Sequence, residues 1–286
     1  MRTIKDYESV DSTWCPGCGD FGVLSALKKA AVDLEIDPKD LVVITGIGCS
    51  SKINEYIKCY GYHGVHGRAL PVGTIVKVAN PALTVVVAGG DGDGYAIGMG
   101  HFVHTVRRNP DITYIIMNNQ VYGLTKGQFS PTSRPGMITG TSPEGTYDPP
   151  VDGVALALTA GATFAARGFS GNPKHLTELF KAGIQHPGFA LIDVLSPCVT
   201  YNDVNTYDWF RENIEYVDQP YDYDPTDRAA AIGRIMRAVK VPVGLVYRNP
   251  DRPSLHQEAL ADPARPPIAA DLTIDGRYEE LQELFV

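Results

Sequence analysis

Two acidic side chains and one amide stand where the sequence predicts the ends of two strands. Asp91 and Asp93 lie in a glycine-rich turn after the apolar run 85–88, and Asn119 follows the apolar run 112–117. Carboxylates repel a bare phosphate, but carboxylate and amide oxygens bind Mg²⁺, which in turn holds phosphate groups. A helix predicted between the two runs makes the segment a βαβ unit, so both strand ends meet at one sheet edge. The pattern predicts a magnesium-bridged diphosphate site with Asp91, Asn119 and a nearby carbonyl as ligands.

Other phosphate-binding motifs do not fit these glycines. The G-x-G-x-x-G pattern of dinucleotide sites would need glycine where Tyr95 or Ile97 stands. Gly17, Gly19 and Gly22 have that spacing, but they follow a polar segment and not a strand. The sequence contains no G-x-x-x-x-G-K-S/T motif either. The remaining alternative is an ordinary glycine turn in an α/β sheet.

The cysteines form a second candidate centre. Cys15 and Cys18 belong to a C-x-x-C loop that precedes a helix predicted over 21–34, and Cys49 and Cys198 each follow a predicted strand. Such a loop directs two sulfur atoms towards one centre, as in a tetrathiolate site. Structural zinc, an iron–sulfur cluster and, for the C-x-x-C pair, a redox dithiol are the alternatives. A position beside the diphosphate site favours the cluster, because an electron acceptor must lie near the cofactor that releases electrons.

Strands and helices alternate along the first part of the chain. The predicted strands are 41–45, 85–88, 112–117, 163–167, 189–195 and 241–247, and the predicted helices are 21–34, 53–60, 71–78, 95–106, 155–160, 173–185 and 227–239. This alternation predicts an α/β fold with a doubly wound, mostly parallel sheet. Cys59 falls in the helix predicted over 53–60 and is expected to be a buried thiol. A loop over 127–153, rich in Pro, Gly and Ser, is expected to be functional or interfacial.

Length and charge limit the domains and partners. Residues 1–200 are expected to form one domain and residues 201–286 an extension that packs on that domain or on a partner subunit. The 286 residues carry a net charge of −8 and no run of basic residues, so no nucleic-acid partner is expected. We expect a cytoplasmic protein without a membrane span, because there is no apolar run of spanning length and no signal peptide.

Five motifs lie along about residues 7–210. They are Cys15-Pro-Gly-Cys18-Gly-Asp, Gly46-Ile-Gly-Cys49-Ser-Ser-Lys52, His66-Gly-Arg68-Ala-Leu-Pro, Gly90-Asp-Gly-Asp93 and Asn118-Asn-Gln-Val-Tyr-Gly-Leu-Thr-Lys-Gly-Gln128. Together they resemble the β subunit of the 2-oxoacid:ferredoxin oxidoreductases. The resemblance implies the thiamine diphosphate-binding fold of the diphosphate-binding type.

The resemblance also implies three cofactors: thiamine diphosphate, Mg²⁺ and one [4Fe-4S] cluster. The implied Mg²⁺ ligands are Asp91, Asn119 and the backbone of Val121. The implied cluster ligands are Cys15, Cys18, Cys49 and Cys198. The residues expected around the cofactor are Gly48, Cys49, His66, Gly90, Asp91, Gly92, Asp93, Asn119, Val121, Gly123 and Leu124.

The family divides its active site between subunits. An α subunit is expected to supply the glutamate that activates the thiamine pyrimidine, a role for which no glutamate of this chain is suitably placed. The implied reaction converts a 2-oxoacid and CoA to acyl-CoA and CO₂ and passes electrons to ferredoxin.

Four residues are the candidates for contact with the substrate. Lys52 and Lys126 are basic residues in the edge loops, and either could pair with the distal carboxylate of 2-oxoglutarate, which favours that substrate over pyruvate. Leu124 would shape the pocket and His66 would contact cofactor or intermediate. Two other interpretations remain: a non-catalytic, zinc-stabilised α/β binding subunit, and a non-oxidative thiamine diphosphate decarboxylase.

Overall fold

One large sheet carries the candidate site at its edge. The computed structural model describes residues 1–217, 221–259, 267–269 and 282–283. The strands are β1 (Leu41–Thr45), β2 (Tyr60–His63), β3 (Thr84–Gly90), β4 (Thr113–Asn118), β5 (Val121–Tyr122), β6 (Gln128–Phe129), β7 (Phe164–Phe169), β8 (Ala190–Leu195), β9 (Ile214–Tyr216) and β10 (Val241–Arg248). Eight of them pair in the order β2-β1-β3-β4-β8-β7-β10-β9, while β5 and β6 form a separate hairpin. All neighbours in the large sheet are parallel except β10 and β7.

Helices cover both faces of this sheet. They are α1 (Asp20–Asp33), α2 (Ile53–Tyr56), α3 (Ala69–Ala79), α4 (Met99–Arg108), α5 (Gly153–Thr159), α6 (Pro173–Ile184), α7 (Tyr207–Asn213), α8 (Arg228–Met236) and α9 (Leu255–Ala259). Helices α1, α2 and α6 contribute to the core on one face, and α3, α4, α5 and α8 to the core on the other. Short 3₁₀ turns cover Ile4–Tyr7, Ser50–Lys52 and Pro267–Ala269.

The central strands are buried throughout and mostly apolar because both of their faces are covered. In β3, Val86 packs into the core beneath α1 and α6, whereas Val85 and Val87 pack into the opposite core. Successive side chains of a strand point to opposite faces, so a strand between two helical layers has apolar residues at most positions. The predicted doubly wound α/β fold is confirmed.

The predicted βαβ unit is also confirmed, because β3 and β4 pair in parallel and α4 lies between them in sequence. The intervening helix is less regular than predicted. Its first turn, Asp93–Ile97, is π-helical, and Gly98 separates it from α4. The π turn begins at the acidic end of the glycine turn, so the irregular backbone lies at the candidate site.

The helix predicted over 53–60 is wrong in extent. Helix α2 ends at Tyr56, and residues Tyr60–His63 form β2 at the edge of the sheet. All four residues of β2 are exposed, which explains why no apolar pattern predicted this strand. Cys59 therefore precedes a strand instead of ending a helix. It is partly buried against the core beneath α1, and this burial raises the pKa of its thiol to about 12.

The chain beyond residue 200 adds two strands to the same sheet. Strand β10 pairs with β7 in the antiparallel direction, and β9 pairs with β10. The boundary predicted near residue 200 stays a prediction, and part of the predicted extension, including residues 260–266 and 270–281, lies outside the described residues. No helix in the described ranges is long and apolar enough to cross a membrane.

Candidate functional site

The candidate site lies where the direction of the chain connections reverses. Strand β1 leads outward to β2, whereas β3, on the other side of β1, leads to β4. Open α/β sheets bind ligands at such a switch point, outside the carboxyl ends of the strands. Cys49 follows β1, Asp91 follows β3 and Asn119 follows β4. The three positions predicted at one sheet edge are therefore together.

Asp91 is almost fully buried at this edge, with 1% of its surface exposed. Its Oδ2 atom accepts hydrogen bonds from Ser130 Oγ and Thr132 Oγ1, each at 2.5 Å. Burial raises the pKa of Asp91 to about 6, although the two hydroxyls oppose the rise. A carboxylate that loses hydration in this way is stabilised by a bound cation. The surroundings of Asp91 therefore suit a metal ligand.

Asn119 lies in a tight turn. Its Oδ1 accepts a hydrogen bond from the backbone N–H of Val121 at 3.0 Å, and Gln120 between them has a positive φ of 60°. The turn holds the Asn119 side chain beside the backbone of Val121, and these are two of the groups predicted to bind Mg²⁺. A second contact anchors the turn, because Asn202 Nδ2 donates to the Asn119 carbonyl at 2.9 Å.

Asp93 organises the loops around the site. Its Oδ1 accepts hydrogen bonds from the backbone N–H groups of Ile47 at 2.9 Å and Gly67 at 2.8 Å, and it lies 2.6 Å from His66 Nδ1. One carboxylate oxygen thus ties the loop after β1 and the loop before α3 to the turn after β3. His66 has a fixed orientation as a result.

A cavity of about 100 Å³ joins these groups. Its wall contains all eleven residues predicted to surround the cofactor: Gly48, Cys49, His66, Gly90, Asp91, Gly92, Asp93, Asn119, Val121, Gly123 and Leu124. Gly92 is needed for close packing here, because a Cβ atom at that position would lie 2.2 Å from Tyr122 Cε1. Tyr122 in turn donates its hydroxyl hydrogen to the Gly92 carbonyl at 3.2 Å.

The four predicted cluster cysteines are free thiols, and Cys49 is the one of them that lines the cavity. Electrostatic interactions connect Cys49 with Cys15 and Cys198, and Cys18 with Cys49 and Cys198. Burial, Asp20 and then the neighbouring thiols of Cys198 and Cys15 raise the pKa of Cys49 to about 11. Burial also raises the pKa values of Cys18 and Cys198. A Cβ atom at Gly123 would contact the sulfur atoms of both Cys49 and Cys198, at 3.6 and 3.7 Å.

Neighbouring residues hold the cysteine loops together. The Gly19 N–H donates to the Pro197 carbonyl at 3.0 Å, and a Cβ atom at Gly19 would lie 2.6 Å from Ser196 Oγ. Ser196 Oγ donates to the buried carboxylate of Asp20 at 2.6 Å. Trp14 Nε1 donates to the Cys49 carbonyl at 2.7 Å. The loops of Cys15, Cys18, Cys49 and Cys198 are therefore connected by hydrogen bonds in the absence of any disulfide.

A [4Fe-4S] cluster and a single metal ion need different arrangements of their protein ligands. Among the described residues, no three His, Cys, Asp or Glu side chains are placed to hold one metal ion. A [4Fe-4S] cluster is bound through four thiolates, each to a different iron, so its ligands do not have to meet at one point. Four thiols from three loops fit such a group.

The predicted substrate residues lie at different depths. Leu124 lines the cavity and is 48% exposed. Lys52 ends the 3₁₀ turn after Cys49, and its Nζ atom donates to Thr13 Oγ1 at 3.3 Å. Lys126 is exposed and has a positive φ of 78°. Neither lysine belongs to the cavity wall. In the described part of the chain, neither lysine has a carboxylate partner.

Comparison with known proteins identifies the family. Residues 46–194 match the thiamine pyrophosphate enzyme C-terminal TPP-binding domain, and residues 198–261 match the C-terminal family of the pyruvate ferredoxin oxidoreductase β subunit. Subunit β of 2-oxoacid:ferredoxin oxidoreductase 1 from Aeropyrum pernix is 45% identical over 271 residues, which are 91% of this chain and 85% of that relative. The chain belongs to the β subunits of the 2-oxoacid:ferredoxin oxidoreductases. This result confirms the resemblance predicted from the five motifs.

Two further similarities concern 2-oxoglutarate enzymes. The 2-oxoglutarate oxidoreductase subunit KorB of Mycobacterium tuberculosis is 43% identical over 70% of this chain and 54% of its own length. A solved 2-oxoglutarate:ferredoxin oxidoreductase from Magnetococcus marinus, with 2-oxoglutarate, coenzyme A and succinyl-CoA bound, has a TM-score of 0.90 and 41% identity. That alignment covers 100% of this chain and 96% of the matched chain.

Several residues of this β subunit that support the site were not predicted from its sequence. Ser130 and Thr132 contact Asp91, and Asn202 contacts the Asn119 turn. Ser130 and Thr132 belong to the loop that was predicted to be functional or interfacial, so their region was indicated but their partner was not. No pattern in the sequence pointed to Asn202.

Proposed function

We propose that this β subunit binds the diphosphate of thiamine diphosphate through Mg²⁺ and holds a [4Fe-4S] cluster beside it. The complete enzyme would convert a 2-oxoacid, CoA and two oxidised ferredoxins to acyl-CoA, CO₂, one proton and two reduced ferredoxins. When bound, thiamine diphosphate supplies the electron sink for decarboxylation, and the cluster accepts electrons one at a time.

One observation carries this proposal: Cys49 and Asp91 lie in the wall of the same small cavity. Asp91, Asn119 and the Val121 backbone would hold Mg²⁺. Cys15, Cys18, Cys49 and Cys198 would hold the cluster. Because free thiols with raised pKa values are protonated at neutral pH, iron would supply the positive charge that stabilises the thiolates.

The residues around the cavity have separate roles. Asp93 orients His66, which lines the cavity and would contact the cofactor or the reacting substrate. Ser130 and Thr132 fix the Asp91 carboxylate, which leaves its second oxygen for the metal. An α subunit would complete the pocket and supply the glutamate for the pyrimidine.

For the substrate, we favour 2-oxoglutarate. A distal carboxylate needs a cation at the pocket, and Lys52 and Lys126 have no carboxylate partner among the described residues. Lys52 is the better candidate, since it follows Cys49 by only three residues. The similarity to KorB proteins and to the 2-oxoglutarate enzyme of Magnetococcus marinus supports the same choice.

The cofactors and the reaction can be tested on the complete enzyme. The chain should be purified without oxygen together with its α subunit, and iron, sulfide, zinc and thiamine diphosphate should be measured. We expect four irons per β subunit, if the α subunit binds none, and a visible absorption that bleaches with dithionite. We also expect CoA-dependent viologen reduction by 2-oxoacids. A colourless, iron-free complex that is active, or one that holds zinc instead, would contradict the proposal.

The substrate can be tested with one lysine variant and its control. Lys52→Ala should reduce kcat/KM for 2-oxoglutarate by at least about tenfold more than for pyruvate, because only the first substrate has a distal carboxylate. Lys58→Ala removes an exposed lysine six positions away and should change both values equally. Equal losses for both substrates in Lys52→Ala would reject this role.

A further inference from the structure

A second cavity of about 240 Å³ lies on the far side of β4 from the cofactor cavity. It opens between the loop that precedes α5, the start of α7 and the segment between α8 and β10. At roughly 30 Å³ for each water molecule, it has room for roughly eight waters. This is below the size of typical sites for drug-sized ligands.

The wall of this cavity is positively charged although the whole chain is acidic. It contains three cationic residues, Arg134, Arg167 and Lys240, and one carboxylate, Asp152. The carboxylate is already used, because Arg167 Nη2 donates to Asp152 Oδ1 at 2.7 Å. Arg134 and Lys240 have no ion-pair partner within the ranges that the structure describes. The buried carboxylate of Asp193 lies behind the wall and offsets one more charge, which still leaves an excess of one cation.

Arg134 is an exposed residue of the wall that stacks on an aromatic ring. Its guanidinium lies over the ring of Trp209, with 3.9 Å between Cζ and the ring centroid. Stacking of this kind fixes the plane of the guanidinium and leaves the N–H groups at its edge available. Guanidinium groups bind carboxylates and phosphates through two parallel hydrogen bonds.

Most of the rest of the wall is apolar, with Asn118, Gln120 and Thr132 as polar members, and this surface favours one kind of anion over another. The apolar side chains are Pro, Val, Leu, Ile, Ala and Phe, from α7, α8, β8 and β10, from the loop before α5 and from the segment between α8 and β10. Inorganic phosphate would place oxygen atoms against this surface, whereas a short-chain carboxylate would place methylene groups there. We propose that this cavity binds a short-chain carboxylate, with its head group at Arg134, Arg167 and Lys240 and its chain against the apolar wall.

Titration calorimetry on the complete enzyme tests this proposal. The αβ complex should be saturated with thiamine diphosphate and Mg²⁺, so that anions cannot occupy the diphosphate site, and titrated with butyrate or with inorganic phosphate. We expect one saturable butyrate site per β chain and weaker binding of phosphate. Absence of saturable butyrate binding, or tighter binding of phosphate, would overturn the proposal.

Variants locate the site within the complex. Arg134→Leu and Lys240→Gln should each weaken butyrate binding at least about tenfold. Arg134→Lys keeps the charge and should lose less affinity for butyrate than Arg134→Leu. Arg211→Leu is the matched control, because Arg211 is an exposed arginine of the neighbouring α7 that pairs with Asp208 and does not line the cavity. Lys52→Ala should bind butyrate normally. Equal weakening by Arg211→Leu would assign the effect to the general charge of the protein and reject the site. Loss of butyrate binding in Lys52→Ala would place the butyrate at the substrate site instead. The titration needs no turnover, so its outcome does not depend on the proposed reaction or its substrate.

Discussion

Replacement of Asp93 by asparagine tests how the site is organised. Asp93 is 2% exposed, and its Oδ1 atom accepts hydrogen bonds from Ile47, His66 and Gly67. Hydrogen bonds to charged groups contribute about 1.5 to 3 kcal/mol each, and neutral ones contribute about 1 kcal/mol. Asparagine keeps one acceptor oxygen but loses the charge. Three hydrogen bonds share this oxygen, so the substitution should destabilise the ordered arrangement of the loops by at least about 2 kcal/mol.

This cost should appear in the binding of the cofactor. If the loops of Ile47 and His66 must be ordered to bind thiamine diphosphate, a loss of about 2 kcal/mol weakens binding about 30-fold. The assay is calorimetric titration of the αβ complex with thiamine diphosphate at saturating Mg²⁺. Asp208→Asn is the control, because it removes the same charge from an exposed side chain of α7 and should change the affinity less than twofold. An Asp93→Asn affinity within twofold of the native value would refute the assigned role.

Three further substitutions address the packing of the site, the cluster and the pH dependence of stability. Gly92→Ala should reduce cofactor affinity and lower Tm, because its new Cβ would lie 2.2 Å from the Tyr122 ring; unchanged values of both would contradict the packing argument. Cys198→Ser should lower the iron content of the anaerobic complex, whereas Cys59→Ser should retain it; equal iron in both would remove Cys198 from the ligands. Burial lowers the pKa of His186 from 6.5 to about 4. As the pH falls from 6.5 towards 4, this histidine binds a proton in the unfolded chain but not in the folded one, so the free energy of unfolding decreases. Between pH 7.5 and 5.5 the loss should be about 1 kcal/mol, and the decrease in Tm over this range should be smaller in His186→Gln.

The order of the core elements was predictable because it depends on local patterns. Strand β1 was predicted with its observed bounds, 41–45, since its five residues, four of them apolar, are all buried. The edge strand β2 was not predicted, because it has no buried face and therefore no apolar pattern. The strand predicted over 241–247 exists, but its antiparallel pairing with β7 depends on contacts across more than 70 positions of the chain.

Some residues of the candidate site were likewise indicated by the sequence, and others were not. The glycine turn, Asn119 and the cysteines carry their chemistry in residue type and spacing, so the sequence indicated them. The hydroxyl groups that hold Asp91 come from residues 39 and 41 positions away, and serine and threonine are common in loops. Asn202 contacts a backbone carbonyl 83 positions away, a contact that leaves no periodic signal. The metal and cluster ligands themselves stay predictions.

The Asn202 contact has a consequence for the handling and lifetime of the enzyme. The Asn202 N–H donates to the Cys198 carbonyl at 3.2 Å, and its side chain donates to the Asn119 carbonyl, so one residue bridges a proposed cluster ligand and a proposed magnesium ligand. We expect oxygen damage at the cluster to free the Cys198 loop and, through Asn202, to loosen the turn that holds the diphosphate. Exposure to air would then deplete iron and the vitamin-derived cofactor together, and repair would require both to be restored.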